Sequence, residues 1–200
     1  MSKQLSIAAI ALSASIAMSA NAGPIPYPDK GIPAPTSSFT ASSTGFVTAY
    51  FYDAWATYES KIGLWVNGVS TGNYGLMSTS SDYGDSFILG NVTAGDELVF
   101  ELVITSLNPD VSWFSDPSLN SDGKNHTYST DFGGGGGIPQ GTYVSFEDLP
   151  KLGDLDFNDY QFVYTITPPP DSEVPVPEPL TLVLFGLGLA ALGFSRKRKV

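Results

Sequence analysis

Glu97-Leu98-Val99-Phe100-Glu101-Leu102-Val103-Ile104-Thr105 alternates with the two-residue period of a strand. Leu98, Phe100, Leu102 and Ile104 share one face, and Val99, Glu101 and Val103 share the other. Upstream, Asn91 to Asp96 reads as a loop carrying a turn, and Phe87-Ile88-Leu89 as a short apolar run. Ile62 to Val66 alternates and runs into Asn67-Gly68, a dipeptide that favours a tight hairpin turn. Phe46 to Tyr52 is dense in aromatic and β-branched residues, as strands are. Downstream, Tyr143 to Glu147 and Gln161 to Ile166 are the last two strand candidates, with Phe162, Tyr164 and Ile166 pointing to the core. Asp53 to Ser60 is long enough for one helical turn. Short strands separated by Gly, Asn and Asp turns predict an all-β chain: a single jelly-roll-like β-sandwich over residues 36–167.

Composition narrows the function. Between Asp29 and Glu178 lie all twenty acidic residues, opposed only by Lys30, Lys61, Lys124 and Lys151, a net of −16. Such a surface repels nucleic acid and suits divalent cations. The chain has no cysteine, so thiol catalysis, thiolate metal sites and disulfides are excluded. Gly133 to Gly137 is five glycines without a following helix or lysine, which predicts a surface loop rather than a phosphate cradle.

The two ends predict export. Lys3, the apolar run Ile7 to Met18 and the Ala20-Asn21-Ala22 site make residues 1–22 a signal peptide, cleaved before Gly23. Signal peptidase and the secretion machinery are the partners this implies. Residues 23–35 read as a Pro-rich leader, and residues 168–176 as a Pro-rich acidic linker that is extended and semi-rigid. Pro177-Glu178-Pro179 follows, then the uncharged run Leu180 to Phe194, then Arg196-Lys197-Arg198-Lys199. As a helix, 15 residues rise roughly 22 Å, short of a hydrocarbon core of about 30 Å, so residues 180–194 span the membrane only with help from their flanks. The four cations stay cytoplasmic and stop the segment. This order of tripeptide, apolar segment and basic cluster over residues 177–200 resembles the PEP-CTERM sorting signal of Gram-negative bacteria. The resemblance implies recognition by an exosortase near the tripeptide. It also implies transient anchoring in the inner membrane, then delivery to the cell surface or its exopolysaccharide matrix.

Chemistry concentrates in Phe146 to Tyr160, where Glu147, Asp148, Asp154, Asp156, Asn158 and Asp159 place six oxygen-bearing side chains within 13 residues. Calcium takes six to eight hard oxygen ligands, and the D-x-D-x-N order matches the alternation of a calcium loop. It is not an EF-hand: Asp159 stands where the glycine should, and no acidic residue follows at the twelfth position. Zinc is disfavoured, with no thiolate and one histidine. The competing expectation is an empty acidic strand edge, with Asp154, Asp156 and Asn158 on one face and Leu155 and Phe157 on the other. The stretch also resembles a domain of unknown function of exported bacterial proteins, through Phe146-Glu147-Asp148 and Gly153-Asp154-Leu155-Asp156-Phe157-Asn158-Asp159. That resemblance extends back through Trp113 and His126. It implies a β-rich, calcium-binding domain. Pro150-Lys151-Leu152 before the lone Gly153 departs from the paired glycines frequent there, which weakens ligand inferences drawn from that backbone.

A second polar loop, Trp113 to Asp131, offers Asp116, Asn120, Asp122 and Asn125 and is expected to be a turn-rich surface. His126, the one histidine, is expected to be a hydrogen-bonded loop residue. A serine triad lacks its G-x-S-x-G elbow here. Three function classes follow. The first is a surface or matrix protein stiffened by calcium, with no catalysis. The second is a calcium-dependent carbohydrate-binding or adhesion module, for which Trp55, Trp65 and Trp113 offer stacking faces. The third is a glycoside hydrolase, the weakest, because catalytic carboxylates stand apart across a cleft rather than side by side in sequence.

Overall fold

The computed structural model describes residues 25–169. The expected signal peptide and the whole sorting tail lie outside the described residues. Ten strands form: β1 (Phe39–Thr40), β2 (Gly45–Asp53), β3 (Ser60–Val66), β4 (Val69–Gly75), β5 (Ser86–Val92), β6 (Glu97–Ile104), β7 (Val111–Phe114), β8 (Thr127–Phe132), β9 (Gly141–Phe146) and β10 (Tyr160–Thr167). They build two antiparallel sheets. One runs β1-β6-β3-β4, with β7 pairing β6 beyond β1 on the same edge; the other runs β5-β2-β10-β9-β8. The described residues form an all-β sandwich.

The core forms where the alternating faces meet. Leu98, Phe100, Leu102 and Ile104 of β6 and Ile62 and Leu64 of β3 pack against Val47, Ala49 and Phe51 of β2, Val144 and Phe146 of β9, and Phe162 of β10. Burying each large apolar side chain contributes about 1.5–3 kcal/mol, so this shared face is what fixes the strand register. Asn67 and Gly68 both take positive φ, +50° and +77°, as a type I′ hairpin turn requires.

The opposite face of β6 is covered too. Glu101 is buried there but fully served: its carboxylate accepts from Trp65 Nε1 (2.6 Å), Tyr74 Oη (2.7 Å) and Ser112 Oγ (2.6 Å). On the outer face of the second sheet, Tyr52, Phe132, Tyr143 and Val163 form an aromatic layer. The five-glycine loop closes over it. Gly135 and Ile138 exchange backbone hydrogen bonds, and Ile138 is buried among the rings.

Three strands escape the hydrophobic pattern: β4, β7 and β8. All lie at sheet edges, and β4 (VSTGNYG) has no buried residue. An edge facing water needs no apolar alternation, so none is written there. Asp53 to Ser60 forms no helix; β2 ends in it and β3 begins from it. The Pro-rich leader is more than a crossing. Tyr27 and Ala34 are buried against Phe157, and Tyr27 meets the rings of Tyr128 and Phe157 edge-on at 4.8 Å.

Candidate metal centre

The acidic loop joins β9 to β10, two paired central strands. Its ends are therefore fixed by the ladder, with Phe146 opposite Tyr160. Between them the backbone is not an extended edge. Lys151, Leu152, Leu155 and Phe157 all take left-handed φ, +65°, +76°, +61° and +51°. Left-handed backbone is costly for bulky residues and persists where surrounding contacts over-determine it. Phe157 is buried and Leu155 half-buried against the leader, while Asp154 and Asp156 each bring a carboxylate oxygen near Glu147.

Glu147, Asp154 and Asp156 converge, each offering a carboxylate oxygen within 4.8 Å of the other two. Ligands at 2.3–2.6 Å from one calcium stand at most about 5 Å apart, so the three oxygens fit a single ion. Glu147 is wholly buried. Its Oε1 accepts from Phe157 N at 2.6 Å, and its Oε2 has no hydrogen-bond partner. Asp156 likewise leaves Oδ1 buried and unpartnered, while Oδ2 accepts from Lys30 Nζ (3.2 Å) and Asn158 Nδ2 (2.6 Å). Unpartnered buried carboxylate oxygens are costly, and a bound cation or a proton would relieve them. Burial, together with the charges of Asp159, Asp154 and Asp156, pushes the Glu147 carboxyl up to about 7, against a lowering hydrogen bond from Phe157 N.

The other expected ligands fall elsewhere. Asn158 reaches the triad only through its bond to Asp156. Asp148 and Asp159 form a separate pair, with Asp148 N donating to Asp159 Oδ2 at 2.9 Å. Burial, and for Asp148 the neighbouring Asp159 charge, drives both of these carboxyls upward. Gly153 sits at φ +47°, ψ −123°, and a Cβ there would lie 2.9 Å from Glu147 Oε2. Glycine is therefore required twice over, by backbone and by space.

The second polar loop meets the acidic one as a buttress. Trp113 and His126 stack at 3.8 Å, nearly parallel. Trp113 Nε1 donates to the Asp148 carbonyl (2.7 Å), and His126 Nδ1 to the Glu147 carbonyl (2.9 Å). His126 Nε2 faces Asp122 Oδ2 at 3.2 Å, and that same oxygen accepts from Lys151 N at 2.8 Å. Burial pushes the Asp122 carboxyl up, but the Lys151 and Lys124 amides and His126 outweigh it and hold it below its usual range. Asp116 and Asn120 instead serve their own loop, Asp116 capping the 3-10 turn Pro117–Leu119 and Asn120 bonding the Phe114 backbone. Asn125 ties the loop to the leader through the carbonyls of Ala34 and Pro35. Lys30 and Gly31, whose amide donates to the Leu155 carbonyl (3.0 Å), complete the clamp. Neither carries a local sequence signal; only the tertiary path of the leader brings them in.

The fold and this loop define a two-sheet domain with one acidic loop braced from both sides. Family models match two parts of the chain: a domain of unknown function, DUF4114, over residues 82–167, and the PEP-CTERM protein-sorting motif over residues 175–199. The chain carries both, and the sorting motif marks it for export, transient membrane anchoring and exosortase processing. No curated protein and no solved structure matches it significantly. The DUF4114 match covers β5 to β10, yet β2 lies between β5 and β10 in one sheet and β3 pairs β6 in the other. The folded unit thus reaches upstream of the matched residues.

Proposed function

We propose that this is a non-catalytic, calcium-stabilised β-sandwich delivered by exosortase processing to the cell surface or the exopolysaccharide matrix. Glu147, Asp154 and Asp156 would hold the ion, which supplies charge compensation and locks the strained loop. The observation that carries this reading is the pair of buried, unpartnered oxygens, Glu147 Oε2 and Asp156 Oδ1, within a three-carboxylate cluster. An all-oxygen, triply anionic site suits calcium, which accepts irregular coordination, better than magnesium, which demands near-octahedral geometry and keeps its waters. Signal peptidase, the secretion machinery and the inner membrane are partners only on the way out. A second reading, a binding module for carbohydrate or adhesion, is favoured by Trp55, which is 72% exposed while Trp113 is buried and Trp65 is half-buried with its Nε1 bonded to Glu101.

The test is a thermal melt of residues 23–176 with calcium, with magnesium and with chelator. An ion at 100 times its dissociation constant adds about 2.7 kcal/mol, several degrees for a domain of this size. Calcium should raise the melting temperature above magnesium, and Asp154→Asn with Asp156→Asn should abolish the rise. Equal melts in calcium and chelator would refute the site.

A further inference from the structure

Beside the acidic loop lies a cleft of 540 Å³, between the leader, the end of β2 and the start of β10. That volume falls within the range of about 300–1,000 Å³ typical of small-ligand sites. Trp55, Tyr52 and Tyr83 line it, Tyr52 and Tyr83 meeting edge-on at 5.3 Å, and Lys30 and Asp156 line it too.

Trp55 is held although it is exposed. Its amide donates to the Asn158 carbonyl (3.2 Å) and its Nε1 to Asp53 Oδ2 (2.6 Å). Asp53 is itself fixed, its Oδ1 accepting from Ala54 N at 2.9 Å. Tyr83 is 41% exposed and anchored through its hydroxyl to the Gly135 carbonyl (3.1 Å). A large aromatic left in water gains nothing for the fold. Fixing Trp55 by two hydrogen bonds, one of them to a carboxylate that is itself held, removes the entropy that a ligand would otherwise have to pay. Exposed and pre-organised aromatics beside hydrogen-bonding groups suit a ligand with one apolar face and a hydroxyl-bearing edge.

We infer that this cleft is a binding site for a neutral saccharide, with a pyranose ring stacking on Trp55 and its hydroxyls meeting the Lys30–Asp156 pair. The pair contributes both a donor and an acceptor, and its charges cancel locally. A net of −16 between Asp29 and Glu178 selects against anionic glycans. The inference gives the binding-module reading one location; the cleft shares Asp156 with the acidic triad, and the titrations in calcium and in chelator separate the two roles.

The test is calorimetric titration of the full chain, in a detergent without a sugar headgroup, with cellohexaose, laminarihexaose and chitohexaose. An alginate hexasaccharide serves as the anionic control, and each titration is run in calcium and in chelator. At least one neutral probe should bind. Trp55→Ala should weaken that binding at least tenfold at unchanged melting temperature, and Trp55→Tyr should restore most of it. Failure of all three neutral probes, binding of alginate alone, or binding indifferent to Trp55→Ala would overturn the inference. Trp55-dependent binding without a calcium-dependent melt keeps the cleft and removes the metal; a calcium-dependent melt without sugar binding does the reverse.

Discussion

Burial of Glu147 makes a prediction whose sign and size both follow from the loop. Without metal, its carboxyl titrates near 7 in the folded chain against 4.5 ordinarily. Below pH 4.5 folded and unfolded chains are both protonated there, and the group has no effect on their balance. Between 4.5 and about 7 the unfolded chain releases its proton while the folded chain keeps it, so stability falls as pH rises. Above 7 the loss is complete. At 1.36 kcal/mol per pH unit, the loss from this one group is about 3 kcal/mol. For a domain of this size that is roughly 6–12 °C of melting temperature. Asp148 and Asp159, also raised by burial, act in the same direction. The lowered carboxyls, Asp96 and Asp122, lose their contribution only below their ordinary value of 3.8, outside this window.

The assay is the melt of chelated protein from pH 5 to pH 8, for wild type and for Glu147→Gln. Wild type should lose stability steadily across that range. The variant should lose about 3 kcal/mol less, because it has no proton to release. Saturating calcium should flatten the wild-type curve by favouring the ionised form. A chelated wild type that melts at the same or higher temperature at pH 8, or a variant with an unchanged slope, would refute the burial argument regardless of what calcium does.

Two further outcomes are expected, one from the loop geometry and one from the sorting motif. Gly153→Ala places a Cβ 2.9 Å from Glu147 Oε2 and forces alanine into a glycine-only conformation, so it should destabilise the domain by about 1–3 kcal/mol and blunt the calcium response; denaturant unfolding with and without calcium checks both. Deleting Leu180–Val200 should leave the exported chain unprocessed by exosortase and away from the surface, read by immunoblot mobility and surface labelling; unchanged display would remove the tail from the sorting step.

Legibility in the sequence tracked burial. β6 was readable because one face of it sees only the core, and the alternation of Leu98, Phe100, Leu102 and Ile104 has no other cause. The edge strands β4, β7 and β8 were unreadable because water on one flank relaxes that constraint. The acidic loop shows both behaviours within 13 residues. Its composition marked it as a candidate site, and the converging Glu147, Asp154 and Asp156 are three of the six residues named there. Composition alone did not divide six candidates into a triad, the bridging Asn158 and the Asp148–Asp159 pair. That division comes from left-handed backbone at Leu155 and Phe157. It comes equally from contacts more than a hundred residues away in sequence, where Lys30 and Gly31 hold Asp156 and Leu155. Spacing specifies which side chains are available. The chain that crosses the loop decides which of them meet, and here that chain is a proline-rich segment whose own sequence reads only as a connection.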